Sequence, residues 1–141
     1  MNDILKRVGQ SVALRAAEPL QSPILSFDLN DEIKRLREED AWQAGRNSKT
    51  LVKHPDFRVV LTVLKSGTRL QEHKAAGRIS VQAVAGRIRM HVQDEVFDLP
   101  AGHLLVLERA LSHDVEALED SAFLLTIAWP EDAPKNLTVM P

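Results

Sequence analysis

Two histidines in this chain sit at fixed distances from glycines. Gly67 is followed by five residues and then His73, and Gly86 comes thirteen residues after that. Gly102 is followed by five residues and then Glu108, with His113 five residues further on. Neutral imidazole is the commonest metal ligand and can also donate or accept a hydrogen bond. Two imidazoles placed beside turn-forming glycines mark a site for a metal or a small ligand. A catalytic metal centre takes three protein ligands and leaves a position open, so a third donor has to be found. Other chemistries lack their residues. There is no cysteine, which removes thiolate ligands, disulfides and cysteine nucleophiles. No Gly-x-Ser-x-Gly elbow, no Gly-x-Gly-x-x-Gly and no Walker A loop occurs. Carboxylates are plentiful, but no acid/base couple can be picked from them, so no catalytic residue is assigned.

The bulk properties narrow the class. A chain of 141 residues fits one domain with its own hydrophobic core. The net charge is -2 and no basic run exists, so nucleic acid is not an expected partner. Apolar runs are short, so a membrane is not expected either. Lys6 and Arg7 precede a stretch interrupted by Gly9, Gln10, Ser11 and Arg15, which does not read as a secretory signal. The expected location is the cytoplasm. Aromatic residues are few and tyrosine is absent, which disfavours a stacking surface for sugars or bases.

The elements that position the histidines are mostly strands. Ile4, Leu5, Val8 and Val12 have helical spacing, and Pro19 and Pro23 bracket an extended piece with Ile24, Leu25 and Phe27 as packing contacts. A helix is predicted over 30–43, capped by Asn30 and carrying Leu29, Ile33 and Leu36 as an apolar stripe, with Gly45 as its stop. From Thr50 the pattern has period two. Strands are predicted at Thr50–Lys53, Phe57–Leu64, Ile79–Val84, Arg87–Val92, Glu95–Leu99, Leu104–Leu107, Asp114–Leu118 and Ala122–Trp129. Their spacing, with no helix between them, predicts an antiparallel sandwich or barrel. The tail from Pro130 reads as extended.

The glycine–histidine spacing over residues 57–129 resembles the cupin family. Its first motif is Gly-x5-His-x-His-x3-4-Glu-x6-Gly, and its second is Gly-x5-Pro-x-Gly-x2-His-x3-Asn. Gly67, His73, Gly86, Gly102 and His113 match. The second histidine of the first motif falls on Ala75 and the glutamate on Ile79. The proline, glycine and asparagine of the second motif fall on Glu108, Ala110 and Ala117. The resemblance implies an all-β fold: a double-stranded β-helix, the cupin jelly-roll barrel, with an N-terminal arm and one short α-helix. Residues 1–49 would be the arm and helix, and residues 50–141 the barrel. It also implies a divalent transition metal (Fe, Mn, Ni or Zn) on three histidines and a glutamate, of which only His73 and His113 remain.

Strand alternation places Arg69, Gln71, His73 and Ala75 on one face. Gln71 then joins His73 as a ligand contact, and an inward Arg69 would bind an anionic substrate or pair with Glu72 or Glu108. Ile79, Val81 and Ala83 face inward, with Gln82 outward. A one-residue slip would bring Gln82 in as an alternative metal ligand. Arg78, Arg87 and Arg89 fall close together in sequence and are candidates for an anion patch or, better, a solvated or subunit face. The leading expectation is a small-molecule-binding cupin with a two-histidine site at the barrel mouth, its metal weak or absent. The alternatives are a metal-dependent enzyme of the oxygenase or isomerase type and a non-catalytic sensor or interaction module. Edge strands and an apolar N-terminal segment suggest a homodimer.

Overall fold

The computed structural model describes residues 23–129. The expected helical spacing at Ile4–Val12 and the tail from Pro130 lie outside them. Helix α1 (Leu29–Glu38) is followed by a 3-10 turn (Asp40–Ala44) and nine strands. These are β1 (Arg46–Lys53), β2 (Phe57–Leu64), β3 (Arg69–His73), β4 (Arg78–Ala85), β5 (Arg87–Val92), β6 (Glu95–Pro100), β7 (Leu104–Leu107), β8 (His113–Ala117) and β9 (Ser121–Ala128). They form a five-stranded sheet in the order β1-β2-β9-β4-β7 and a four-stranded sheet in the order β3-β8-β5-β6. Every pairing is antiparallel. The chain passes repeatedly from one sheet to the other, which gives the expected all-β jelly roll.

Alternation explains the interior. Val81, Phe123, Leu125 and Ile127 from the first sheet meet Leu70, Ile88, Met90 and Val115 from the second, all of them buried. A second apolar layer lies on the outer face of the first sheet. There Ile33 and Leu36 of α1 pack on Leu51, Leu61, Val63 and Ala122. β2 therefore has both faces covered, which is why its sequence is a continuous apolar run. Phe27 packs on this layer, whereas Ile24 is exposed.

The helix begins one residue earlier than predicted. Asp28, not Asn30, is the N-cap, and its carboxylate accepts from the Asp31 N–H at 3.2 Å. It also ends earlier, at Glu38, where Asn47 donates to the Leu36 carbonyl and to Glu39. Gly45, at φ +106°, stops the 3-10 turn rather than the helix. Strand β1 starts four residues before the predicted Thr50. Arg46–Lys49 look polar because β1 is an edge strand whose outer side chains, Asn47 and Lys49, bond α1. β3 was not among the predicted strands, since it is short and irregular. Arg78 also lies in a different sheet from Arg87 and Arg89, so the three do not form one patch. Arg78 bonds Glu108, while Arg87 and Arg89 share Asp98.

The turn into β5 is held by Ser121. Its hydroxyl accepts from the Arg87 N–H and lies within hydrogen-bond distance of the Arg87 and Glu119 carbonyls. Gly86, at φ +72°, fits against this turn, and a Cβ there would stand 2.2 Å from the Asp120 carbonyl oxygen. Gly102 has a similar φ of +94° but open space around it. In urea unfolding, Gly102→Ala should cost about 1–2 kcal/mol, the left-handed penalty alone. Gly86→Ala should cost about 3 kcal/mol or more, because backbone must also move. Equal losses would show that the contact at Gly86 carries no weight.

Candidate functional site

The two histidines face each other across neighbouring strands. In the β3–β8 ladder Leu70 pairs with Val115 and His73 with His113, so β3 carries one residue more than β8 over this step. That extra residue is a β-bulge. The bulge inverts the expected parity. Leu70 is buried, while Arg69 and Gln71 are exposed. Neither of these two shares a face with His73, as simple alternation required. Glu72 is also exposed, and His73 returns to the inner side, half-buried. Ile79, Val81 and Ala83 face inward as expected, and Gln82 stays exposed.

His113 is 2% exposed and shares the inner face of β8 with Val115 and Ala117. Its Nδ1 lies 2.9 Å from the Leu111 carbonyl oxygen. A carbonyl only accepts, so Nδ1 carries a proton and donates it. In the neutral ring Nε2 is then a bare lone pair. That atom is buried and has no hydrogen-bond partner. A buried polar atom left unpaired costs about 1–3 kcal/mol, so it is a rare feature. Burial first, then the nearby His113 and Arg46, hold the His73 imidazole below its ordinary pKa of 6.5.

The outer side of the same strand is fully paired. Asp114 bonds Arg69 of β3 at 2.8 Å and His91 of β5 at 2.7 Å. Burial raises its pKa, but hydrogen bonds from Arg69 and His91 outweigh this and hold the carboxyl below its usual range. Arg69 therefore has Asp114 as its partner, not Glu72 or Glu108. Sequence reading missed this triad because Arg69 and Asp114 stand 45 residues apart and were assigned no common face.

The residues present do not fit a three-ligand metal centre. Among the described residues no group of three or more His, Cys, Asp or Glu is placed to hold a metal ion. Ala75 and Ile79, where the resemblance requires ligands, are 5% and 3% exposed and belong to the barrel core. The Ala110 N–H donates to the Ala75 carbonyl at 2.8 Å and ties down this end of the barrel. His103 is exposed in the turn before β7, and His54 is half-buried in the turn before β2. Trp129 is buried against the Arg58 guanidinium, 5.2 Å from its ring centroid.

Two measurements check these couplings. Asp114→Asn should lower the unfolding free energy by about 1–3 kcal/mol at neutral pH. The gap to wild type should close as the pH falls below the ordinary carboxylate value of 3.8, because the stabilisation is lost once the folded carboxyl protonates. For His73 the folded state takes up a proton less readily than the unfolded chain. Its contribution is therefore complete above the ordinary value of 6.5 and declines as the pH falls below it. Replacing His73 by Gln should flatten that part of a stability–pH curve.

No protein-family model matches the chain, and no curated protein sequence does. Solved structures match well. A conserved protein of unknown function from Streptococcus pyogenes superposes with a TM-score of 0.64 at 21% identity, covering 85% of this chain and 99% of that one. A cupin superfamily protein from Desulfitobacterium hafniense gives 0.59 at 15% identity over 60% of this chain and 78% of the other. A salicylate 1,2-dioxygenase from Pseudaminobacter salicylatoxidans gives 0.63 at 15% identity, over 70% of this chain and 33% of that one. The nine strands in their two antiparallel sheets, with the glycine-bounded histidines on facing strands, thus have the fold of the cupin superfamily.

Proposed function

We propose that this protein binds a small molecule at His113 and His73, inside the mouth of its barrel, with a metal held weakly or not at all. One observation carries the reading: Nε2 of His113 is buried, faces the interior and lacks a partner. Its tautomer is fixed by the bond to Leu111, so the atom is a ready acceptor for a ligand O–H or N–H. His73 stands beside it, with its pKa lowered, as a second neutral nitrogen. The apolar wall at Ala75, Ile79 and Val92 gives such a bond a low-dielectric setting, where it is stronger than in water.

A second reading is a metal-dependent enzyme of the oxygenase or isomerase type. The Nδ1–H bond to a backbone carbonyl is the arrangement that orients metal-bound histidines. The dioxygenase among the structural neighbours belongs to the same fold. Two nitrogens without a third donor favour the first reading. The ligand would be recognised by a homodimer or a monomer alike, since both histidines come from one chain.

The test uses protein purified without an affinity metal. Native mass spectrometry should reveal a co-purified small molecule, lost in His113→Ala. Elemental analysis should find no stoichiometric transition metal. Ring 15N spectra of His113 should show Nδ1 protonated, with Nε2 shifting when the ligand is removed. A stoichiometric metal that disappears in both His73→Ala and His113→Ala would replace this reading by the enzyme.

A further inference from the structure

A cleft of about 210 Å³ opens on β1 and β2, lined by Arg46, Asn47, Ser48 and Thr62. Ser48 pairs with Thr62 and Arg46 with Leu64, and Thr62 lies on the same side of β2 as Val60 and Leu64 of the barrel core. The cleft thus belongs to the inner side of the sheet. Asn47 points the other way, to α1, and its amide is already bonded to Leu36 and Glu39. What remains is one guanidinium and two hydroxyl-bearing residues, with no carboxylate. Arg46 itself has no carboxylate partner among the described residues. It lies close enough to His73 for its charge to act on that imidazole, and His73 is the cross-strand partner of His113. A cation, a neutral imidazole and an unpartnered buried acceptor therefore follow one another from the cleft into the barrel.

We infer that the ligand is a small hydroxycarboxylate, its carboxylate held by Arg46 and Ser48 and its hydroxyl donating to Nε2 of His113. The inference rests on the two-histidine site proposed above and names the chemistry that site accepts. An unpaired guanidinium presents a fork that matches a carboxylate with two parallel hydrogen bonds. A phosphate dianion would call for further cations or a helix N-terminus, and the lining holds one positive charge. The volume is below the ~300–1,000 Å³ of sites for drug-sized ligands, which limits the molecule to a few carbons. The lowered pKa of His73 is consistent with a pocket whose fixed charge is positive and awaits an anion.

Lactate and gluconate are suitable probes, with 1,2-propanediol and sorbitol as their uncharged counterparts. Titrations of the full chain would be followed by amide and imidazole resonances. The acids should shift signals of Ser48, Thr62 and His113 and bind roughly tenfold or more tightly than the neutral compounds, as a charge-assisted bond predicts. Arg46→Gln should abolish that preference, and Arg46→Lys should keep part of it. Arg78→Gln, on the outer face, should leave it intact. Equal binding of acids and polyols, or an Arg46→Gln variant that binds the acids as wild type does, would overturn the carboxylate assignment while the two-histidine site stood. Absence of any shift with either acid would also overturn it. The two-histidine reading would then be decided by the co-purified molecule alone.

Discussion

The Asp114 carboxylate ties three strands together. It sits on the outer face of β8 and accepts from Arg69 of β3 on one side and His91 of β5 on the other. Its side chain is only 13% exposed, so these bonds are better shielded than the exposed ion pairs of Arg78 or Arg35. Because successive residues of a strand point to opposite faces, fixing Asp114 outward fixes His113 inward. The polar clasp outside and the orphaned nitrogen inside are two faces of one local structure. The backbone acceptor at Leu111 then sets which nitrogen of His113 bears the proton. Nothing on the inner side satisfies the other nitrogen, and the apolar packing around it keeps water away.

The histidine pair stands where the barrel's two kinds of interior meet. Toward Ala75, Ile79 and Leu107 the wall is closed and apolar. Toward β1 the same interior gives way to Arg46, Ser48 and Thr62 at the sheet edge. A ligand lying along this gradient would bury an apolar portion, satisfy an acceptor and reach a cation without disturbing the strands. The helix takes no part in this directly. It covers the outer face of β1 and β2 and holds Asn47 and Lys49 away from the interior, so that Arg46 and Ser48 are left on the inner side.

Much of this was legible from residue types. Period-two runs placed eight strands, and six of them differ from the observed bounds by at most one residue at either end or not at all. The inward set Ile79, Val81 and Ala83 followed from alternation. β1 was shortened because its polar residues look like a loop until a helix is seen to use them. β3 carried the larger error. A strict alternation from Arg69 to Ala75 puts Arg69 and Gln71 beside His73, and a bulge breaks that count. Bulges depend on pairing with a partner strand, which here lies some 45 residues away. Asp114 was equally invisible as a clasp, since its partners come from two other strands. Arg46 drew no notice because β1 was not thought to reach it.

The bulge in β3 has a meaning for how this site can change. It makes the position of His73 a matter of residue count as well as residue type. Shorten the segment between Leu70 and His73 by one, and a regular ladder would carry the imidazole to the solvent side while Leu70 stayed in the core. The fold would lose little, because its packing residues lie on either side of the irregular step. A single-codon deletion would therefore separate the barrel from its chemistry, leaving the architecture whole and the pocket with one histidine.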